Sequence, residues 1–193
     1  MEIYFAILKR EEKIKKMNLS TQQIATIALL AALSVVARFY SFLIMGDSIR
    51  IALDHIPILL SGVLLGPIAG VITGIISDIT GVLVFPVGGF FPGFLLSYAL
   101  IGLIPGLFFK NVNINNISLK KLALVFIITD LLVSLILNTY WLSILVGEAY
   151  LGLLPPRIIA RMIIVPIHIF FIYNLLKYVP QLRKVTKTKE VNN

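Results

Sequence analysis

Two long stretches of the chain contain no charged side chain. Asp, Glu, Lys and Arg are absent from residues 17–37 and again from residues 79–109, and apolar residues dominate both stretches. A helix needs about 20 apolar residues to cross the hydrocarbon core of a membrane, and both stretches reach that length. The pattern therefore predicts membrane-spanning helices.

Polar positions and Gly-Pro pairs divide the apolar pattern into six expected helices. Ser20 is a suitable N-cap for the first. The Gly66-Pro67 pair splits residues 53–84 into two helices, because proline removes a backbone donor and disfavours a helical residue before it. The second helix is then short for a full crossing. The expected helices cover about 20–39, 53–65, 67–82, 93–109, 119–146 and 156–177, the last beginning at Pro156 after a loop at 147–155.

Composition agrees with an all-α integral membrane protein. Only 13% of the 193 residues are charged and 59% are hydrophobic, whereas an ordinary soluble domain carries about 25% charged residues. We expect a basic lead-in at 1–17, a six-helix membrane domain at 18–178 and a basic tail at 179–193. This leaves no room for a soluble catalytic domain.

The net charge of +8 is explained by topology and not by a nucleic-acid partner. Of the 17 Lys and Arg residues, five lie in 1–16, three in 110–121 and five in 177–193. With six helices these segments share one side of the membrane, and the positive-inside rule assigns that side to the cytoplasm. Both termini are therefore expected to be cytoplasmic, in a multi-pass protein of the cell membrane.

The four remaining cations are all arginines on the opposite half of the bundle: Arg38, Arg50, Arg157 and Arg161. Arginine is suited to bidentate capture of carboxylate or phosphate. Because Arg157 and Arg161 are four residues apart, they share one helix face, where an anion would offset their repulsion. We expect Arg50, Arg157 and Arg161 to bind an anionic ligand. For Arg38 we favour a structural role, either as an anchor whose charged end reaches the membrane surface or in an internal ion pair with Asp47, Asp54, Asp78 or Glu148.

Aromatic and amide side chains cluster near the same half. The loop at 85–93 combines phenylalanines with glycines, which fits either a lid over a flat ligand or an interfacial aromatic belt. Asn138 and Trp141 lie at the outer part of an apolar helix, where their polar groups need partners. A polar ligand or a neighbouring helix could supply those partners.

Small residues recur at every fourth position, a spacing that permits close helix approach. Glycines at this spacing in helices 2 to 4 indicate internal packing. Ala28 and Ala32, in helix 1, could instead form a docking surface for another membrane protein.

Motifs for catalysis are absent from the sequence. It has no phosphate-binding G-x-x-x-x-G-K-[ST] loop, no cysteine and no nucleophile elbow. His55 and His168 are far apart and form no H-E-x-x-H pattern, so neither a metal site nor an enzyme is expected.

Asp78 and Asp130 lie within spans, and acids in such positions are functional candidates. They keep open a stand-alone proton-coupled transporter of a small organic anion; a non-transporting membrane scaffold is the other alternative.

Five short motifs, in this order, resemble those of the folate-type substrate-binding (S) components of energy-coupling factor (ECF) transporters. They are LGPIAG at 65–70, GIISD at 74–78, FFPGF at 90–94, LNTYWL at 137–142 and PRII at 156–159. The resemblance implies a six-helix vitamin-binding subunit that works with a transmembrane T component and two cytoplasmic ATPases. ATP would then be used by the partners, and this chain would hold no cofactor of its own.

The resemblance also implies roles for individual residues around an outward-facing pocket bounded by loops at about 40–52, 85–92 and 147–155. Arg50 matches an arginine at the start of helix 2, and Ala28 and Ala32 match the surface that docks onto the T component. The loop-3 lid corresponds to Phe85, Phe91 and Pro92, and the ends of helices 5 and 6 contribute Asn138, Trp141 and Arg157. Asp54, His55 and Asp130 depart from the folate-type pattern. The expected function is binding and delivery of folate or a related anionic vitamin.

Overall fold

In the part of the chain that the structure describes, six helices follow the apolar segments of the sequence. The computed structural model describes residues 19–45, 52–85, 89–112 and 117–178. The helices are α1 (Thr21–Met45), α2 (His55–Leu65), α3 (Pro67–Val84), α4 (Pro92–Phe109), α5 (Leu119–Val146) and α6 (Tyr150–Tyr178). The described residues include no strand. The basic lead-in, the basic tail and Arg50 lie outside the described residues.

Helix α2 differs from the other five in length and burial. The five others are long and apolar enough to cross a membrane. With 11 residues, α2 is about 16 Å long at 1.5 Å per residue, and every residue except Ile56 is buried. Gly66 ends it with a φ of 91°, and Pro67 begins α3. The predicted break at Gly66-Pro67 and the short second helix are confirmed.

Glycines bring α2, α3 and α4 into backbone contact. A Cβ atom at Gly70 would overlap the backbone of Gly102, and one at Gly102 would overlap Gly70. In the same way, Gly62 faces α4 and Gly74 lies against the backbone at Tyr98. The glycines predicted to serve internal packing do so, and they make these three helices the most closely packed part of the bundle.

Helix α5 contains a π-helical segment, Asp130–Leu137, between two α-helical parts. In a π-helix the backbone bonds run from residue i to i+5, and such segments are frequent at functional sites. The hydrophobic pattern predicts a single helix over 119–146 but carries no signal for this change of hydrogen bonding.

Two predicted helix ends differ from the structure. Helix α1 continues to Met45 instead of ending near 39, and α6 begins at Tyr150 and not at Pro156. Gly147 ends α5 in the left-handed conformation, so only 147–149 separate the two helices. The prediction that Pro156 begins helix 6 was wrong, because the helix starts six residues earlier and contains both Pro155 and Pro156. Each proline removes a backbone donor, but prolines are tolerated in membrane helices where neighbouring groups compensate.

Candidate ligand-binding site

Arg38 lies at the centre of a buried ion network that joins α1 to its neighbours. Its Nη2 is 3.0 Å from Asp78 Oδ1 on α3, and its Nε is 3.5 Å from Asp54 Oδ2 at the start of α2. The Tyr98 hydroxyl on α4 donates to the same Asp54 oxygen, and its ring lies under the guanidinium at 4.7 Å. Gly81 leaves the space that the guanidinium occupies. Of the two structural roles expected for Arg38, the internal ion pair is confirmed, and these contacts join α1 to α2, α3 and α4.

The two arginines of α6 both contact the π segment of α5. Arg161 Nη1 lies 3.2 Å from Asp130 Oδ1, and Arg157 Nη2 donates to the backbone oxygen of Ser134 at 3.1 Å. Asp130, for which the sequence offers no evident partner, is therefore paired with a residue 31 positions away. The shared face predicted from the spacing of four residues is directed at α5.

Aromatic rings connect the start of α4 to the end of α5. The centroids of Phe91 and Trp141 are 5.8 Å apart with the ring planes at 58°, and Phe94 lies 5.8 Å from Phe91. A Cβ atom at Gly93 would overlap both Phe91 and Trp141. Glycine at this position lets the loop before α4 close onto the indole.

Two buried polar atoms on the last part of α5 have no hydrogen-bond partner within the described part of the chain. They are the Oδ1 acceptor of Asn138 and the Nε1 donor of Trp141. Buried polar groups in proteins are nearly always satisfied, and leaving one unsatisfied costs about 1–3 kcal/mol. Because the two residues are three positions apart, donor and acceptor lie on one helix face. This arrangement is complementary to a polar ligand that offers both an acceptor and a donor.

The remaining predicted residues have different surroundings. Phe85 stacks on Phe39 of α1, with the centroids 4.7 Å apart and the planes at 21°. Pro92 is the exposed first residue of α4, and Ala28 and Ala32 are exposed on α1. The structure thus brings Phe91 to Trp141, and Arg157 and Arg161 to the π segment, whereas Phe85 lies against α1.

A small cavity with a mixed apolar and polar lining lies between α2, α4, α5 and α6. Its polar lining consists of His55, Thr129, Asp130, Ser134 and His168. His168 Nε2 is 2.9 Å from the backbone oxygen of Ala52, and the two histidine rings are 6.0 Å apart. Among the residues that the structure describes, no three His, Asp or Glu side chains are arranged to hold a metal ion. Both histidines can be singled out in the sequence, but only the structure shows that they lie close together.

An apolar helical bundle with ion pairs and unsatisfied polar groups in its interior defines an integral membrane protein with a candidate ligand site. The family model for the ECF transporter, substrate-specific component, matches residues 22–182. The folate transporter FolT of Clostridium novyi (strain NT) is 39% identical over 158 residues, which cover 82% of this chain and 89% of that protein.

A solved structure agrees with these sequence matches. The crystal structure of FolT bound with folic acid superposes with a TM-score of 0.72 at 30% identity, covering 83% of this chain and 96% of that one. The chain belongs to the substrate-specific components of ECF transporters and is a multi-pass membrane protein. The family resemblance stated from the motifs is confirmed.

Proposed function

We propose that this protein binds folate at the site between α4, α5 and α6 and delivers it for import. The observation that carries the proposal is the pair of unsatisfied buried atoms, Asn138 Oδ1 and Trp141 Nε1. The likeness to a folate transporter and to a folate-bound structure supports the same ligand.

The pterin ring of folate has the chemistry that these two atoms require. It is flat and carries N–H donors beside carbonyl and ring-nitrogen acceptors, so Asn138 Oδ1 would accept from it and Trp141 Nε1 would donate to it. Phe91, which contacts Trp141, would pack on the ring through an offset or edge-on arrangement. An apolar vitamin would leave both buried atoms unsatisfied.

The glutamate part of folate carries two carboxylates, which suit arginine. Arg157 and Arg161 on α6 would bind them, because a guanidinium forms paired hydrogen bonds with a carboxylate. Arg50, outside the described residues, remains a proposed third contact, and Phe85 and Pro92 remain proposed parts of a lid over the ligand.

Delivery would depend on partners that supply the energy. We propose that a T component docks on α1 at Ala28 and Ala32, which are exposed, and that two cytoplasmic ATPases hydrolyse ATP. The termini would face the cytoplasm. The proton-coupled alternative receives less support, because Asp78 and Asp130 are each paired with an arginine.

Native mass spectrometry of the purified protein tests the proposed ligand. With folic acid added we expect a complex of one ligand per chain that survives transfer from the membrane mimetic. Biotin, a smaller vitamin with one carboxylate and no pterin, is the matched control and should give no complex. Equal retention of both vitamins, or of neither, would contradict the proposal.

A further inference from the structure

Asp130 is a buried acid that the proposed ligand contacts do not use. It begins the π segment of α5, and its Oδ1 lies 3.2 Å from Arg161 Nη1; the exposed fractions of the two side chains are 10% and 14%. The carboxylate is therefore the counter-ion of one of the two arginines that would receive the ligand.

The charged and titratable groups around Asp130 come from α6 and α2, whereas α4 contributes the apolar Ile101 to the cavity that Asp130 lines. From α6 these groups are Arg161, the adjacent Arg157 and His168, and from α2 the group is His55, which shares the cavity with Asp130. Arg157 differs from Arg161 in its observed contact, because it donates to the backbone oxygen of Ser134. Asp130 is thus the acid in contact with Arg161.

A ligand carboxylate that approaches Arg161 also approaches the charge of Asp130. Charges interact more strongly where water is excluded, and salt screens buried pairs far less than exposed ones. The attraction that Arg161 offers is therefore reduced by Asp130. The reduction grows with the number of negative charges that the ligand brings.

We propose that Asp130 is a positioning residue that sets ligand specificity through Arg161: it limits how strongly the site prefers a dianion over a monoanion. This inference rests on the proposed function, because it takes folate as the ligand of the α6 arginines. The carboxylate holds the guanidinium in place and lowers the positive potential that a second ligand carboxylate meets.

Comparing the binding of folic acid, which has two carboxylates, with that of pteroic acid, which has one, distinguishes an effect of the Asp130 charge from an effect of its packing. Their dissociation constants would be measured by calorimetry for the wild type, Asp130→Asn and Asp130→Glu. We expect Asp130→Asn to increase the preference for folic acid over pteroic acid roughly tenfold, equivalent to about 1.4 kcal/mol. Asp130→Glu retains the charge and should keep the wild-type ratio even if both affinities fall.

A second pair of variants keeps the inference testable if Asp130→Asn does not fold. Arg161→Gln leaves a lone buried carboxylate, which should repel folic acid more than pteroic acid. Adding Asp130→Asn to that variant removes the repulsion and should restore part of the preference for folic acid.

The outcomes separate this inference from the proposed function. A parallel change in both affinities for Asp130→Asn, with no recovery in the double variant, would overturn the role of Asp130. If the wild type binds neither pterin compound, the proposed function itself fails and the inference falls with it.

Discussion

The arginine of α1 and the arginines of α6 are all in polar surroundings inside the same membrane bundle, yet the surroundings differ. Arg38 is held by two carboxylates and a tyrosine ring, next to the helices that glycines bring into backbone contact. Arg157 and Arg161 contact one backbone oxygen and one carboxylate of the π segment. Arg38 thus lies between two carboxylates, whereas Arg161 lies against one.

Helix packing also differs between the two regions. Helices α2, α3 and α4 touch through glycine backbones. In α6, only 17% of the most apolar stretch of 18 residues is buried inside the protein. Exposed apolar residues such as Leu151, Met162 and Phe170 cover α6, as expected for a surface that faces lipid. The proposed ligand site thus lies between a sparsely packed helix and a closely packed three-helix core.

Charge pairing distinguishes the buried polar groups around Arg38 from those of the proposed ligand site. Both kinds are costly to bury and both are expected to be few. The structural group, as at Arg38, already has its opposite charges. At the proposed ligand site, Asn138 and Trp141 are instead neutral side chains whose buried acceptor and donor have no hydrogen-bond partner among the described residues.

Breaking the Arg38 network should have the largest effect on stability. Arg38→Met leaves the carboxylates of Asp54 and Asp78 buried beside an apolar side chain, and removing one partner of a buried ion pair costs about 3–5 kcal/mol. Thermal unfolding in detergent, without ligand, measures the loss. Arg157→Met is the matched control in the other region, and we expect it to destabilise far less while weakening ligand binding. Equal destabilisation by the two variants would contradict the assignment of different roles.

Replacing a glycine by alanine should destabilise the closely packed helices α2, α3 and α4 more than it destabilises α6. Gly102→Ala places a methyl group against the backbone of Gly70, and we expect a loss of about 1–3 kcal/mol as the helices separate. Gly152→Ala, in α6, meets no neighbouring atom within 4 Å. This control should be neutral or slightly stabilising, because alanine is a better helix former than glycine. Equal losses of unfolding temperature in the two variants would contradict the tighter packing assigned to Gly102.

Removing the Asn138 amide should weaken ligand binding without lowering the stability of the ligand-free protein. Asn138→Ala deletes a buried acceptor that has no partner among the described residues, so the ligand-free protein should unfold at an unchanged or higher temperature. Folic acid should bind roughly tenfold more weakly, since a hydrogen bond to the ligand is lost. Tyr140→Phe, on the exposed side of the same helix, is the control and should alter neither quantity. A large loss of stability in Asn138→Ala would indicate a structural amide instead.

The smallest effect on the isolated protein is expected at the proposed docking surface. Ala28→Leu and Ala32→Leu enlarge exposed side chains on α1, and surface substitutions usually change stability by less than about 0.5 kcal/mol. Binding of folic acid should persist, whereas uptake by cells that contain the whole transporter should fail. Unchanged uptake by both variants would mean that the T component docks elsewhere.

The sequence predicts most of the fold because membrane helices are encoded locally. The six apolar segments, the break at Gly66-Pro67 and the packing role of the glycines all follow from patterns within a few residues. The start of α6 was misplaced because Pro155 and Pro156 suggest a helix boundary, while the structure accommodates both prolines inside the helix.

The site is less accessible to prediction because its geometry depends on long-range contacts. Arg161 and Asp130 are 31 residues apart, and only the packing of α5 on α6 brings them together. The π segment that presents the Ser134 oxygen to Arg157 has no local signature in an apolar helix. Asn138 and Trp141 could be singled out as polar residues in an apolar segment. Only the folded structure shows that Asn138 Oδ1 and Trp141 Nε1 have no hydrogen-bond partner among the described residues.

Fluorescence of the one tryptophan in the chain tests whether folate binds beside Asn138 and Trp141, because Trp141 is itself part of the proposed site. Titration with folic acid, corrected for absorption by the ligand, should quench the emission of Trp141 to saturation at one ligand per chain. The midpoint should agree with the dissociation constant from calorimetry. Folic acid that binds by calorimetry while the emission of Trp141 stays unchanged would place the ligand elsewhere and contradict the account.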